Sequence, residues 1–168
     1  MLLSDQDLHK AIQTEELGVS PFALRMIQPA SIDLELGEVG RGPDEQTWNG
    51  WGIWDIKPGE FVLACTRQVV SFPNHLAGRV EGKSTWGRRG LLIHAAGFVD
   101  PGFTGQLTLE FKNLGEVPIR VTERDFICQL AVWRMATYAL YPYGSHARMQ
   151  SHYQGQMGVT PAYSVRAN

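Results

Sequence analysis

Two stretches of the chain alternate polar and apolar residues strictly. Ser31-Ile-Asp-Leu-Glu-Leu36 does so up to Gly37, the period of a half-buried strand. Between Gln106 and Asn113, Leu107, Leu109 and Phe111 alternate with Thr108, Glu110 and Lys112, which puts Glu110 on the face opposite the leucines. Shorter apolar runs follow turn residues. Phe61–Thr66 comes after the turn Lys57-Pro58-Gly59-Glu60, and Val69–Phe72 is stopped by Pro73. Leu76–Val80, Pro118–Val121 and Phe126–Trp133 read as further strands, the last two separated by a polar turn at Thr122–Asp125. Only the start of the chain reads as helix. In Met1–Ile12, Ser4 is placed to cap, Asp7 three residues on completes a capping-box pattern, and Leu8, Ala11 and Ile12 share a face. Glu15–Met26 contains the breaker Pro21, and Glu38–Gly52 is a Gly-rich polar loop. Trp48, Trp51 and Trp54 lie close together there, a cluster that more often packs than binds. Many short strands after one short helix predict an all-β distorted barrel or jelly roll.

Composition narrows this picture. A chain of 168 residues is most simply one domain with a real core, and 43% hydrophobic with 19% charged residues excludes a disordered chain. A net charge of −2 argues against a general nucleic-acid partner. A local excess remains, since Arg79–Arg89 carries four basic residues against one acid, Glu81. Cys65 and Cys128 sit in apolar runs outside any CxxC pattern, as two buried free thiols would. Asp5, Asp7 and His9 interrupt any leader-like apolar run, and no stretch has the length of a membrane span, so a soluble cytoplasmic protein without a membrane partner is expected. The character changes at Tyr141. Residues 1–140 read as the barrel, and 141–168, rich in Tyr, Gln, Gly and His, as an arm able to close over a ligand.

The chemistry concentrates between Glu81 and Asn113. Gly82, Lys83, Ser84, Thr85, Gly87, Arg88 and Arg89 supply cations, hydroxyls and small residues suited to phosphate. Asp100-Pro101-Gly102 presents an acid at a turn, and Glu110 follows on its strand. Two familiar motifs fail here. A Walker P-loop needs glycine where Ala77 stands, and a zinc deaminase needs His-x-Glu and PCxxC, both absent. Periodicity alone reads Glu110 as a solvated carboxylate paired with Lys112. His94, between Ile93 and Ala95, reads as a core or turn histidine.

Gly82-Lys-Ser-Thr-Trp-Gly-Arg88, His94-Ala-Ala-Gly-Phe-Val-Asp-Pro-Gly-Phe103, Leu109-Glu110 and Ile127-Cys-Gln-Leu130 together resemble the dCTP deaminases of the dUTP pyrophosphatase superfamily. Leu3-Ser4-Asp5, Gln28–Asp33, Pro58–Phe61, Pro142-Tyr143 and Tyr153–Gln156 extend the resemblance over nearly the whole chain. The resemblance implies a dUTP pyrophosphatase-like barrel that forms a homotrimer with active sites at subunit contacts. It implies deamination of dCTP without zinc, with magnesium carried by the triphosphate. By residue-level match, Glu110 is the general acid/base, and Ser84 and Arg88 order the water and the carboxylate. Lys83, Ser84, Thr85, Trp86, Gly87 and Arg88 form the nucleotide-binding run. Asp100 meets the sugar 3′-hydroxyl, Thr108 and Leu109 line the base pocket, and Gln129, Tyr143, His152 and Gln156 contact the ligand. Gly97-Phe98 resembles the branch that carries dUTP on to dUMP and diphosphate. The chain departs from the pattern in three places: one threonine is missing between His94 and Gly97, His152 replaces a lysine, and Glu35 replaces an arginine. A dUTP pyrophosphatase without deamination and a non-catalytic nucleotide-binding trimer are the alternative readings.

Overall fold

A computed structural model describes residues 1–41, 52–94, 97–145 and 151–163, with Arg41 described by its backbone alone. Trp48, Trp51, His146 and Arg148 therefore lie outside the described residues. In chain order the elements are α1 (Asp5–Gln13), β1 (Gly18–Ser20), a 3-10 turn (Leu24–Met26), β2 (Ile27–Gln28), β3 (Ser31–Arg41), β4 (Ile53–Ile56), β5 (Phe61–Ser71), β6 (Leu76–Gly82), α2 (Ser84–Gly87), β7 (Leu91–His94), β8 (Phe98–Val99), β9 (Thr104–Asn113), β10 (Ile119–Thr122) and β11 (Phe126–Arg134). The opening helix begins where expected. Ser4 Oγ accepts from the Asp7 backbone and the Asp7 carboxylate answers to the Ser4 backbone, while Leu8 and Ala11 are buried.

One large sheet runs in the order β7-β9-β5-β3-β11-β6-β8, with β1 on β5 and β2 on β3; β4 and β10 form a separate pair. The two ends of that path, β7 and β8, are separated by only three residues, 95–97. From His94 to Phe98 the chain can span at most about 14 Å. The sheet must therefore curl until its ends nearly meet, which is the expected barrel. Its interior holds Leu8, Leu34, Leu36, Leu109, Phe111, Ile127 and Leu130, among others, all fully buried. Each such side chain stabilises the fold by about 1.5–3 kcal/mol.

Three expectations change. Phe61–Thr66 and Val69–Phe72 are not two strands but one, β5, with an irregularity opposite β9 between Cys65 and Val69. There the Thr66 hydroxyl donates to the Gln68 carbonyl and accepts from the Leu107 amide, so polar side chains carry the strand through the break. The stretch from Glu38 is strand, not loop, as far as Arg41. And β3 is buried on both faces, because Asp33 and Glu35 are covered as well as Ile32, Leu34 and Leu36. Lys83 Nζ meets Asp33 at 2.5 Å. Glu35 accepts from Arg25 at 2.8 Å, Arg67 at 2.7 Å and the Gln68 amide at 3.1 Å. Burial pushes the Glu35 carboxyl up, but the hydrogen bonds from Arg67, Gln68 and Arg25 outweigh it and hold the group below its usual range.

Both cysteines are free and buried, and burial pushes the Cys65 thiol up to about 11 and raises Cys128 as well. No helix among the described residues is long and apolar enough to cross a membrane.

Candidate active site

A cavity of about 530 Å³ opens beside the polar face of β9. Its floor comes from Phe61 and Leu63 on β5 and from Thr108 and Glu110 on β9. Its rim is Gly97–Asp100, and its far wall is Tyr143, His152, Tyr153 and Gln156. Eight of the residues singled out in the sequence thus meet in one place: Gly97, Phe98, Asp100, Thr108, Glu110, Tyr143, His152 and Gln156.

The alternation of β9 is what aims the carboxylate. Its buried positions are Leu107, Leu109, Phe111 and Asn113, and its half-buried ones include Thr108, Glu110 and Lys112. Glu110 is 37% exposed and is not paired with Lys112, whose ammonium bonds the Gly59 carbonyl. Its partner is His94, directly opposite on β7, with Nδ1 at 3.2 Å from Oε2. Thr108 Oγ1 is buried and has no partner among the described residues, a costly state unless something in the cavity bonds it. The Asp100 side chain is exposed at its turn, where the Phe103 amide donates to the Asp100 carbonyl at 3.1 Å. Gly102 in that turn has φ +91, and a Cβ there would sit 2.7 Å from Pro142 and 2.8 Å from the Tyr143 carbonyl. A glycine is what lets the tail approach so closely.

The tail is laced to the start of β9. Gln106 and Gln156 exchange bonds, backbone amide to carbonyl at 3.0 Å and Gln156 Nε2 to the Gln106 carbonyl at 2.6 Å. Gly155 donates to Thr104, and the Gln154 amide bonds Thr104 and Gly102. The Tyr143 hydroxyl accepts from the Tyr153 amide at 3.0 Å. His152 stacks on Tyr163 with centroids 4.0 Å apart.

The basic run lies elsewhere. Lys83, Ser84, Thr85, Gly87 and Arg88 belong to the β6–α2 corner and do not line the cavity. Ser84, Thr85 and Arg88 are exposed, and Arg88 has no acidic partner among the described residues. Gln129 stands beside this corner on β11, opposite Asp33 and Glu81. Two residues expected at the ligand are turned inward instead. The Trp86 ring is buried and its Nε1 donates to the Phe126 carbonyl at 2.9 Å, so it serves packing, with Arg89 over its face. Leu109 is fully buried on the core side of β9, and the leucines at the cavity are Leu63 and Leu107.

His94 is the site residue that the sequence reading passed over. It is neither core nor turn but 66% exposed at the end of a strand. Reading Leu91 and Ile93 as the inward positions of a short strand would have put it on the outward face. Its pairing with Glu110 depends on the register of two strands and is not written in either alone.

The family described as dCTP deaminase-like matches residues 43–135. The chain is 43% identical to a dUMP-forming dCTP deaminase of Corynebacterium glutamicum over 96% of this chain and 95% of that protein. It is 42% identical to the dUMP-forming dCTP deaminase of Mycobacterium avium over 99% and 97%. Among solved structures, the fold resembles a 2′-deoxycytidine 5′-triphosphate deaminase of Agrobacterium tumefaciens, with a TM-score of 0.64 and 18% identity over 78% of this chain. This chain spans about half of that one, 47%. A Staphylococcus bacteriophage 80alpha dUTPase crystallised with dUpNHpp is similar at a TM-score of 0.52 and 18% identity.

Proposed function

The chain belongs to the dCTP deaminase family, and from that premise we propose that it is a hydrolase that deaminates dCTP and carries the dUTP formed on to dUMP and diphosphate. The observation that carries this reading is the cavity in which the Glu110 carboxylate stands beside Asp100 and the unpartnered Thr108 hydroxyl. In the first step Glu110 takes a proton from water, and the hydroxide oxygen bonds to C4 of cytosine. Glu110 then returns the proton to the 4-amino nitrogen, the C4–N bond breaks, and ammonia leaves. Thr108 Oγ1 is the free polar group available to the base edge, and the Asp100 carboxylate accepts from the sugar 3′-hydroxyl. In the second step Asp100, next to Gly97-Phe98, helps place the water that attacks the α-phosphorus, and the bridging P–O bond to the diphosphate breaks.

Lys83, Ser84, Thr85 and Arg88 bind the triphosphate, with Gln129 beside them. That they do not line the cavity within one chain supports a homotrimer in which the β6–α2 corner of one copy faces the cavity of the next. The arm formed by 141–168 closes the site through Tyr143, His152 and Gln156. Magnesium arrives on the triphosphate and neutralises its charge. Among the described residues no group of three or more His, Cys, Asp or Glu is gathered to hold a metal of the protein's own.

Incubation with dCTP and magnesium, with the products separated by chromatography, tests the activity. dUMP and diphosphate are expected; dUTP alone would remove the second step, and unchanged dCTP would overturn the reading. The shared site is tested by unfolding, mixing and refolding two inactive variants, Glu110→Gln and Arg88→Ala. Mixed trimers should regain activity, and a mixture as inactive as its parts would return both residues to one chain.

A further inference from the structure

We propose that His94 is a positioning residue for the reaction, fixing which oxygen of the Glu110 carboxylate meets the water. The inference rests on the reading of Glu110 as the general acid/base. His94 and Glu110 are register partners across β7 and β9, so their side chains leave the sheet side by side. His94 Nδ1 lies 3.2 Å from Glu110 Oε2. An ionised carboxylate only accepts, so Nδ1 carries the hydrogen, in a neutral ring or an imidazolium. That bond occupies Oε2 and leaves Oε1 without a partner among the described residues, available to the water.

Within one chain no other cation among the described residues is paired with Glu110, and in the trimer Arg88 of the next copy would join His94 there. On β9 the flanking polar groups are Thr108, a neutral hydroxyl, and Lys112, whose charge is turned to the Gly59 carbonyl. On β5 the residues opposite Glu110 and Lys112 are Leu63 and Phe61, which bring no charge. The rim contributes Asp100, an acid, and the tail contributes His152, stacked on Tyr163. A purely structural cross-strand pair would look the same on the sheet, but here the acid of the pair lines a cavity.

The test is kcat and KM for dCTP from pH 5 to 9 in His94→Ala and His94→Asn. His94 is two-thirds exposed, so both variants should fold, with melting temperatures near that of the parent protein. In His94→Ala, kcat should fall by about tenfold to a hundredfold with KM changed by less than about threefold. His94→Asn offers an amide N–H near the place of Nδ1–H and should recover most of kcat. Hydrolysis of added dUTP should hardly change. Wild-type kcat in His94→Ala would overturn the proposal, as would no recovery in His94→Asn or equal losses of deamination and dUTP hydrolysis. Failure of the underlying reading looks different: Glu110→Gln itself would then still deaminate dCTP, which overturns both.

Discussion

Two pairs of acids sit on two parts of the barrel, and their surroundings are opposite. Asp33 and Glu35 on β3 are buried and held in ion pairs, one to Lys83 through Oδ2 alone, its Oδ1 without a partner among the described residues, and the other to Arg25, Arg67 and Gln68. Asp100 and Glu110 at the cavity are open, and the pair has a single side-chain ion-pair partner among the described residues, His94. The bound pair cannot exchange protons without losing its hydrogen bonds, so it is scaffold. The open pair costs the fold little and is free to trade protons and hydrogen bonds with a ligand. Partnering, more than burial alone, separates structural acids from chemical ones here.

The largest effect that would break this contrast belongs to Glu110→Gln. Deamination should fall by about a thousandfold, within the usual range for a general acid/base, while dUTP hydrolysis and the melting temperature stay close to the parent values. Product chromatography and a thermal melt on the same sample check it; a variant that melts early would make Glu110 a scaffold residue. Glu35→Gln should do the reverse. It leaves Arg67 partly buried without its counter-charge and should cost about 2–4 kcal/mol in the denaturant midpoint, with KM for dCTP little altered.

Glu16 is an intermediate case that sharpens the comparison through pH. Its hydrogen bonds from Arg134 and then His75 outweigh burial and hold its carboxyl at about 2, against 4.5 for the free group. A depressed folded value means the stabilisation is complete above about pH 4.5 and is lost as pH falls towards 2. The stability gap between the parent and Glu16→Gln should therefore be constant above about pH 5 and close steadily below pH 4.5, as acid titrations of both would reveal. The smallest effect is expected at Asp7, an exposed acid whose hydrogen bonds go to the Ser4 cap. Asp7→Ala should cost about 0.5–1 kcal/mol and leave both activities intact.

The sequence made local features plain and left long-range ones hidden. The cap at Ser4 and Asp7 and the alternation of β9 are written in neighbours three and two residues apart, and both were readable. α2 and β7 have four residues each, too few for a period to emerge. The strand β5 looked interrupted because Thr66 and Gln68 are polar, yet their bonds to Leu107 and Glu35 come from other strands. The same holds for the arginine that the family pattern has at position 35. Here Arg25 and Arg67 bond the Glu35 carboxylate that stands in its place. Partners 10 and 32 residues away leave no trace in a local pattern. Of the site, the residue types were legible through resemblance. Their division between the cavity and the β6–α2 corner was not, because it depends on how the sheet curls.

Three residues buckle this barrel shut. The link starts after His94, which touches Glu110, and ends at Gly97, which lines the cavity. One added residue would lengthen the buckle by about 3.5 Å, loosening the hoop and shifting the cavity wall in the same stroke. The spacing of the sheet's two ends and the wall of the cavity therefore meet at Gly97, and a change in one reaches the other.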